Sequence, residues 1–191
     1  MADERVLQLL SDIKPLATLP PADLAVLADL LRPKRLRTGE MLYRQGDNGR
    51  SMAILADGFL RLQWQDPRGE VAPLGSLRPG DFVGEMALLD PAPRSATVLA
   101  ASDCLCFELT DTDFVLLMHR SPTACSRLVS AITHALTKRI RAANEQLEAI
   151  VRGGAAHGGR TPSQPIRLTD DGAGARPESV VARLWARITG G

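Results

Sequence analysis

Pro79 to Val98 reads PGDFVGEMALLDPAPRSATV, and the reading of this stretch decides the rest. It opens on a Pro-Gly-Asp turn and sets Gly84-Glu85 at the head of a short apolar segment. It turns again at Asp90-Pro91-Ala92-Pro93 and presents Arg94-Ser95 before a β-branched run. A glycine, a carboxylate and a guanidinium therefore converge on one small loop. That set suits a ligand with a hydroxyl to donate and an anion to neutralise, with Glu85 accepting the hydroxyl and Arg94 pairing with the anion. Free backbone N–H groups at the start of the Gly84–Leu89 turn add anion affinity. Each charge also has a plain alternative. An acid in a first helical turn complements the helix dipole, and an arginine after a proline turn serves as a solvated surface charge.

Upstream of the loop, from Leu36, apolar residues alternate and turn glycines recur. Arg37–Tyr43 and Gln45–Asp47 read as strand, turn, strand. Met52–Leu55, Asp57-Gly58 and Phe59–Trp64 read as a hairpin closed by a tight Asp-Gly turn. Downstream, Ala96–Ala101 and Cys104–Leu109 supply two more strands, separated by Ser102-Asp103. The total is about eight short strands, the pattern of an antiparallel, jelly-roll-like β-roll. Helical spacing precedes the roll in Val6, Leu9, Leu10 and Ile13 and again in Leu24, Leu27, Leu30 and Leu31, split at Pro20-Pro21. After it, Asp111–Leu117 is helical. A long helix starts at Ser121-Pro122, where the serine can cap and the proline can take the first turn. The fold class is α+β. Residues 1–35 form a helical lead-in, 36–118 the roll, 119–152 the long helix, 153–177 a flexible linker, and 178–191 a short amphipathic helix.

The cassette resembles the phosphate-binding loop of cyclic-nucleotide-binding domains, as found in catabolite-activator-type regulators, kinase regulatory subunits and gated channels. The match is carried by Gly84-Glu85-Met86-Ala87-Leu88-Leu89 and Pro93-Arg94-Ser95-Ala96-Thr97-Val98, with Pro79-Gly80-Asp81-Phe82 ahead of them. Gly39, Gly46 and Gly58 also fall at the family's glycine positions, and the likeness runs from about Leu16 to Ile150. It implies a cyclic purine nucleotide held between roll and long helix. Glu85 would accept the ribose 2′-hydroxyl, and Arg94 and Ser95 would take the cyclic phosphate. The backbone N–H groups of Gly84, Glu85 and Met86 would complete the cradle beside Ala87, and Phe82, Val83, Leu88 and Val98 would form the apolar lining. Serine rather than threonine at position 95 points to cAMP over cGMP. On the long helix the resemblance places Ala143 and Asn144 where the family contacts the base. Asn144 can hydrogen-bond a purine edge and Ala143 cannot.

Leu136, Ile140, Ala143 and Leu147 step by four and three along that helix, with Val129 a heptad back and charged residues on the flanks. The stripe either packs on its own roll or forms the seam of a homodimer, and the polar flanks favour the dimer. Residues 1–119 carry 12 basic and 17 acidic side chains, whereas residues 120–191 carry 11 and 5, so the basic charge lies outside the roll. Three cysteines at uneven spacing give no disulfide framework, and Cys104 and Cys106 fall on one face of a strand as core residues.

No signal sequence or membrane-length apolar run is legible, which points to the cytoplasm. The histidines, His119, His134 and His157, all follow the roll, so no cupin-like metal site, cofactor or catalytic group is expected. About forty residues follow the long helix, too few for a winged helix-turn-helix, and sequence-specific DNA binding is not expected. The tail, with Val180, Val181, Leu184, Trp185 and Ile188 on one face, either docks on this chain or engages a partner protein. The function expected is a cyclic-nucleotide sensor, cAMP before cGMP, that signals through its long helix and tail. The alternative is a truncated or atypical catabolite-activator-type transcription regulator.

Overall fold

The structure, a computed structural model, describes residues 4–90 and 92–154. Two helices lead in: α1 (Glu4–Asp12) and α2 (Pro21–Leu30). Eight strands and a one-turn helix follow as β1 (Arg32–Leu36), β2 (Met41–Tyr43), β3 (Ser51–Asp57), β4 (Leu60–Gln65), β5 (Val71–Leu77), β6 (Phe82–Val83), α3 (Glu85–Leu89), β7 (Thr97–Ala100) and β8 (Cys104–Thr110). Two helices complete the described chain, α4 (Asp111–Arg120) and α5 (Pro122–Gly154). The α+β fold read from the sequence, an antiparallel roll of eight strands flanked by N-terminal helices and a long C-terminal helix, is the fold observed.

The strands form two four-stranded antiparallel sheets, ordered β1-β8-β3-β6 and β2-β7-β4-β5. The central strands of the first sheet, β3 and β8, are buried on both faces because their residues alternate between two apolar clusters. Met52 and Ile54 of β3 and Phe107 and Leu109 of β8 face the helices, where they meet Leu10, Leu16, Leu27, Phe114, Leu117 and Leu128. Their neighbours Ala53, Leu55, Cys104 and Cys106 face the interior of the roll, against Leu60, Val98 and Ala100 of the second sheet. Cys104 and Cys106 thus share one buried face, as their spacing predicts.

Three details differ from the sequence reading. Asp57-Gly58 does not close a hairpin: β3 pairs with β8 and β6, while β4 pairs with β5 and β7, so the turn carries the chain from one sheet to the other. The corner is tight. Gly58 has φ +86°, and a Cβ there would run into the carbonyl of Asp103. Phe59 N donates to Ser102 Oγ and Ala101 N to Phe59 O, which straps this corner to the parallel one at Ser102-Asp103. The hairpin lies one strand later, between β4 and β5, where Asp66 Oδ1 accepts from Arg68 N and Glu70 N.

Gln45–Asp47 is a turn rather than a strand; Gly46 N donates to Arg94 O and Arg94 N donates to Asp47 O. Finally, the roll begins at Arg32, not at residue 36. Arg-Pro-Lys-Arg-Leu has no apolar alternation to reveal it, being an edge strand with a proline and cations of the kind that discourage further pairing.

α5 begins as predicted, with Ala124 N donating to Ser121 Oγ at 3.0 Å; the same hydroxyl donates to Asp23 of α2. Its first turns are buried through Leu128, Ala131 and Ile132, and its later part leaves the body, with Ile140 and Leu147 60% exposed and Val151 72%. The expected linker begins inside this helix, which runs to Gly154. The remainder of the linker and the helix expected over 178–191 lie outside the described residues. Among the described residues no helix is long and apolar enough to cross a membrane.

Candidate nucleotide-binding site

Gly84, Glu85, Met86, Ala87, Arg94 and Ser95 line one cavity of about 360 Å³, closed on the far side by Leu136, Arg139, Ile140 and Ala143 of α5. That volume lies within the range that holds small ligands. The loop takes this shape because its ends are pinned. The backbone of Arg94 is tied on both sides to the turn after β2, and Pro93 bridges to Asn48. Gly84 caps α3 at φ +76°, and a Cβ on it would collide with Arg94 Nη1 and crowd the Tyr43 ring. The absent side chain is what lets the guanidinium lie across this residue. α3 has no side-chain N-cap, so its first-turn amides are left for solvent or a ligand.

Arg94 is 8% exposed. Its Nη1 donates to Gly84 O at 3.0 Å, its Nη2 to Ser51 Oγ at 3.2 Å, and its Cζ lies 3.6 Å from the centre of the Tyr43 ring. All three partners are uncharged; among the described residues no carboxylate lies within salt-bridge distance of this guanidinium. A buried cation without a counter-ion is costly unless something brings the negative charge to it. Burial pushes the Tyr43 hydroxyl well above its ordinary pKa, so the ring beneath Arg94 stays neutral.

Glu85, 3% exposed, already has a cation: Arg139 Nη1 of α5 donates to its Oε1 at 2.8 Å, and Arg139 Nη2 donates to Phe82 O. In the sequence Arg139 is one of the charged residues that flank the apolar stripe of the long helix. No local signal marks it, because it meets Glu85 across 54 positions. Tyr43 lies beneath Arg94, and Ser51 and Glu108 lie behind it; no local signal in the sequence marks these three either.

The lining differs from the one expected. Val83 and Val98 face the cavity, but Phe82 and Leu88 point into the core against the helices. Phe82 and Val83 are consecutive in a strand and must face opposite ways. On α5, Ala143 lines the cavity and Asn144 is exposed away from it, since neighbours on a helix are about 100° apart. Leu136, Ile140 and Ala143, three of the four residues of the expected dimer seam, also line the cavity, whereas the fourth, Leu147, stands clear of it.

A family model described as the cyclic nucleotide-binding domain matches residues 33–121. The chain is 29% identical over 130 residues to the cyclic AMP receptor protein of Thermus thermophilus, a match covering 68% of this chain and 58% of that protein. The chain therefore spans little more than half the length of this curated relative.

Among solved structures, the regulatory domain of Toxoplasma gondii PKA in co-crystal with cAMP superposes at a TM-score of 0.55 with 30% identity, over 61% of this chain and 46% of that one. A cyclic nucleotide-binding domain from Methylobacillus flagellatus superposes at 0.66 over 82% and 85% of the two chains; at 20% identity it speaks to the fold. The roll, the loop and the family model agree: residues 33–121 match the cyclic nucleotide-binding domain family in sequence and in fold.

Proposed function

We propose that this chain is a regulatory module that binds a cyclic purine nucleotide, cAMP in preference to cGMP, and passes the binding signal to a partner through α5 and the segment after it. The observation that carries this reading is Arg94, a buried guanidinium on the cavity wall that has, among the described residues, no carboxylate within salt-bridge distance. A cyclic phosphate supplies one negative charge and exocyclic oxygens that a guanidinium can hold in a forked pair. Ser95, exposed on the same wall, adds a hydroxyl donor, and Glu85 is placed to accept from the ribose 2′-hydroxyl. Leu62, Val83 and Val98 on the roll and Ile140 and Ala143 on α5 offer the base an apolar slot.

Signal transfer follows from the Glu85–Arg139 pair. A ribose hydroxyl that engages Glu85 competes with Arg139, so ligand occupancy biases the position of α5. The exposed stripe of Ile140, Leu147 and Val151 on that helix suits a homodimer. The reading assigns no catalytic step, no metal and no sequence-specific DNA contact, and it places the protein in the cytoplasm.

A thermal-shift comparison of cAMP, cGMP and 5′-AMP tests it. A ligand at a hundred times its dissociation constant stabilises the fold by about 2.7 kcal/mol. The expected order is cAMP, then cGMP, with 5′-AMP inert; no shift with either cyclic nucleotide overturns the reading.

A further inference from the structure

Ser51 and Glu108, which lie behind Arg94 and outside the cavity lining, form a directed hydrogen-bond chain that also holds Tyr43, a residue of the cavity wall. Ser51 Oγ accepts from Arg94 Nη2 and must send its own hydrogen elsewhere; Glu108 Oε1 lies 2.8 Å away and receives it. Tyr43 OH donates to the same carboxylate oxygen at 3.3 Å, while its ring lies under the guanidinium. The second oxygen of Glu108 is 3.8 Å from Lys34 Nζ. Glu108 sits in the middle of β8 and Ser51 at the start of β3, strands that are hydrogen-bonded to each other, so the chain is anchored in the rigid first sheet rather than in a loop.

We infer that Glu108, acting through the Ser51 hydroxyl, is a positioning residue that holds Arg94 for an anionic ligand without neutralising it. A carboxylate in direct contact with Arg94 would fix the guanidinium equally well but would compete with an incoming phosphate. One hydroxyl placed between the two keeps the geometry and removes the competing ion pair. The carboxylate sets the direction of the relay: because Glu108 accepts, Ser51 turns its hydrogen away from Arg94 and its lone pair toward it. Tyr43, whose hydroxyl is bound to the same oxygen, is held in place as the platform below. Ser51 and Glu108 are thus tied to ligand binding although neither borders the cavity.

The inference rests on the proposed nucleotide reading for its ligand, and it is tested by two measurements that fail separately. In the ligand-free protein, nitrogen-15 NMR of the Arg94 Nη groups reads whether the guanidinium is held. Slow rotation is expected in the wild type and in Ser51→Thr, and fast rotation in Ser51→Ala and Glu108→Gln. In calorimetric titrations with cAMP, Ser51→Ala is expected to weaken binding about fivefold, the worth of one hydrogen bond, and Ser51→Thr to restore it.

In an Arg94→Lys background, where no fork remains to be aimed, Ser51→Ala should change affinity by less than about twofold. A general structural role for Ser51 predicts the same loss in both backgrounds, and that result would overturn the inference. Unchanged Arg94 signals in both Ser51→Ala and Glu108→Gln would also overturn it. If the wild type binds no cyclic nucleotide, the functional reading falls, and the ligand-free signals alone decide whether Glu108 positions Arg94.

Discussion

Arg139 Nη1 lies 2.8 Å from Glu85 Oε1, so the long helix is fastened to the cassette by an ion pair whose acidic partner is buried and whose basic partner is about one-third exposed. Exposed pairs are worth about 1 kcal/mol or less, while removing one partner of a buried pair costs about 3–5 kcal/mol. This pair stands between those limits. Arg139→Leu is expected to lower unfolding stability by about 2 kcal/mol in urea melts, because it strands the Glu85 carboxylate. Adding Glu85→Gln to that variant should recover part of the loss. A double variant less stable than Arg139→Leu alone would mean that the stranded charge is not the cause.

Gly84→Ala is predicted to harm both fold and site. At φ +76° any side chain costs about 1–2 kcal/mol in backbone strain, and the added Cβ would also displace Arg94. Gly39 is the matched control, with φ +88° and open space where its Cβ would stand. Gly39→Ala should show a similar loss of stability with ligand affinity intact, whereas Gly84→Ala should lose both. Equal affinities in the two variants would detach Gly84 from the site.

Burial pushes the Cys106 thiol up to about 12 from 9.0, with the neighbouring Cys104 adding to the shift. A raised folded-state pKa contributes stability that is complete below the unfolded value of 9.0 and is lost as the pH rises toward about 12. Unfolding free energy should therefore fall across that window, and Cys106→Ala should fall less steeply over it, apart from a constant offset for the lost sulfur. In native protein at pH 8 the thiol should resist alkylation. Rapid labelling of Cys106 under those conditions would contradict its placement inside the roll.

The parts of this molecule that were legible in the sequence are those with local causes. The turn glycines, the Gly84-Glu85 and Pro93-Arg94-Ser95 clusters, the Ser121 cap and the shared face of Cys104 and Cys106 follow from spacing and backbone geometry. What escaped is non-local or depends on which of two buried faces a residue takes. Asp57-Gly58 has the composition of a hairpin turn, but composition does not reveal that β3 finds its partners in β8 and β6.

Phe82 and Val83 are both apolar and both buried, and only the register of β6 on β3 sends one to the helices and the other to the cavity. Arg139 reads as a solvated helix charge until the fold brings Glu85 to it. Ser51 and Glu108, 57 positions apart, become partners only through the pairing of β3 with β8.

In the proposed function, the guanidinium of Arg94 receives the phosphate of a cyclic nucleotide. Isothermal titration of cAMP into wild-type and Arg94→Leu protein tests it directly. Losing a buried charge-assisted contact costs about 2–5 kcal/mol, a drop in affinity from roughly thirtyfold to more than a thousandfold. A folded Arg94→Leu variant should bind cAMP more weakly than the wild type by at least that lower factor; the same affinity in both proteins would mean that Arg94 does not hold the phosphate.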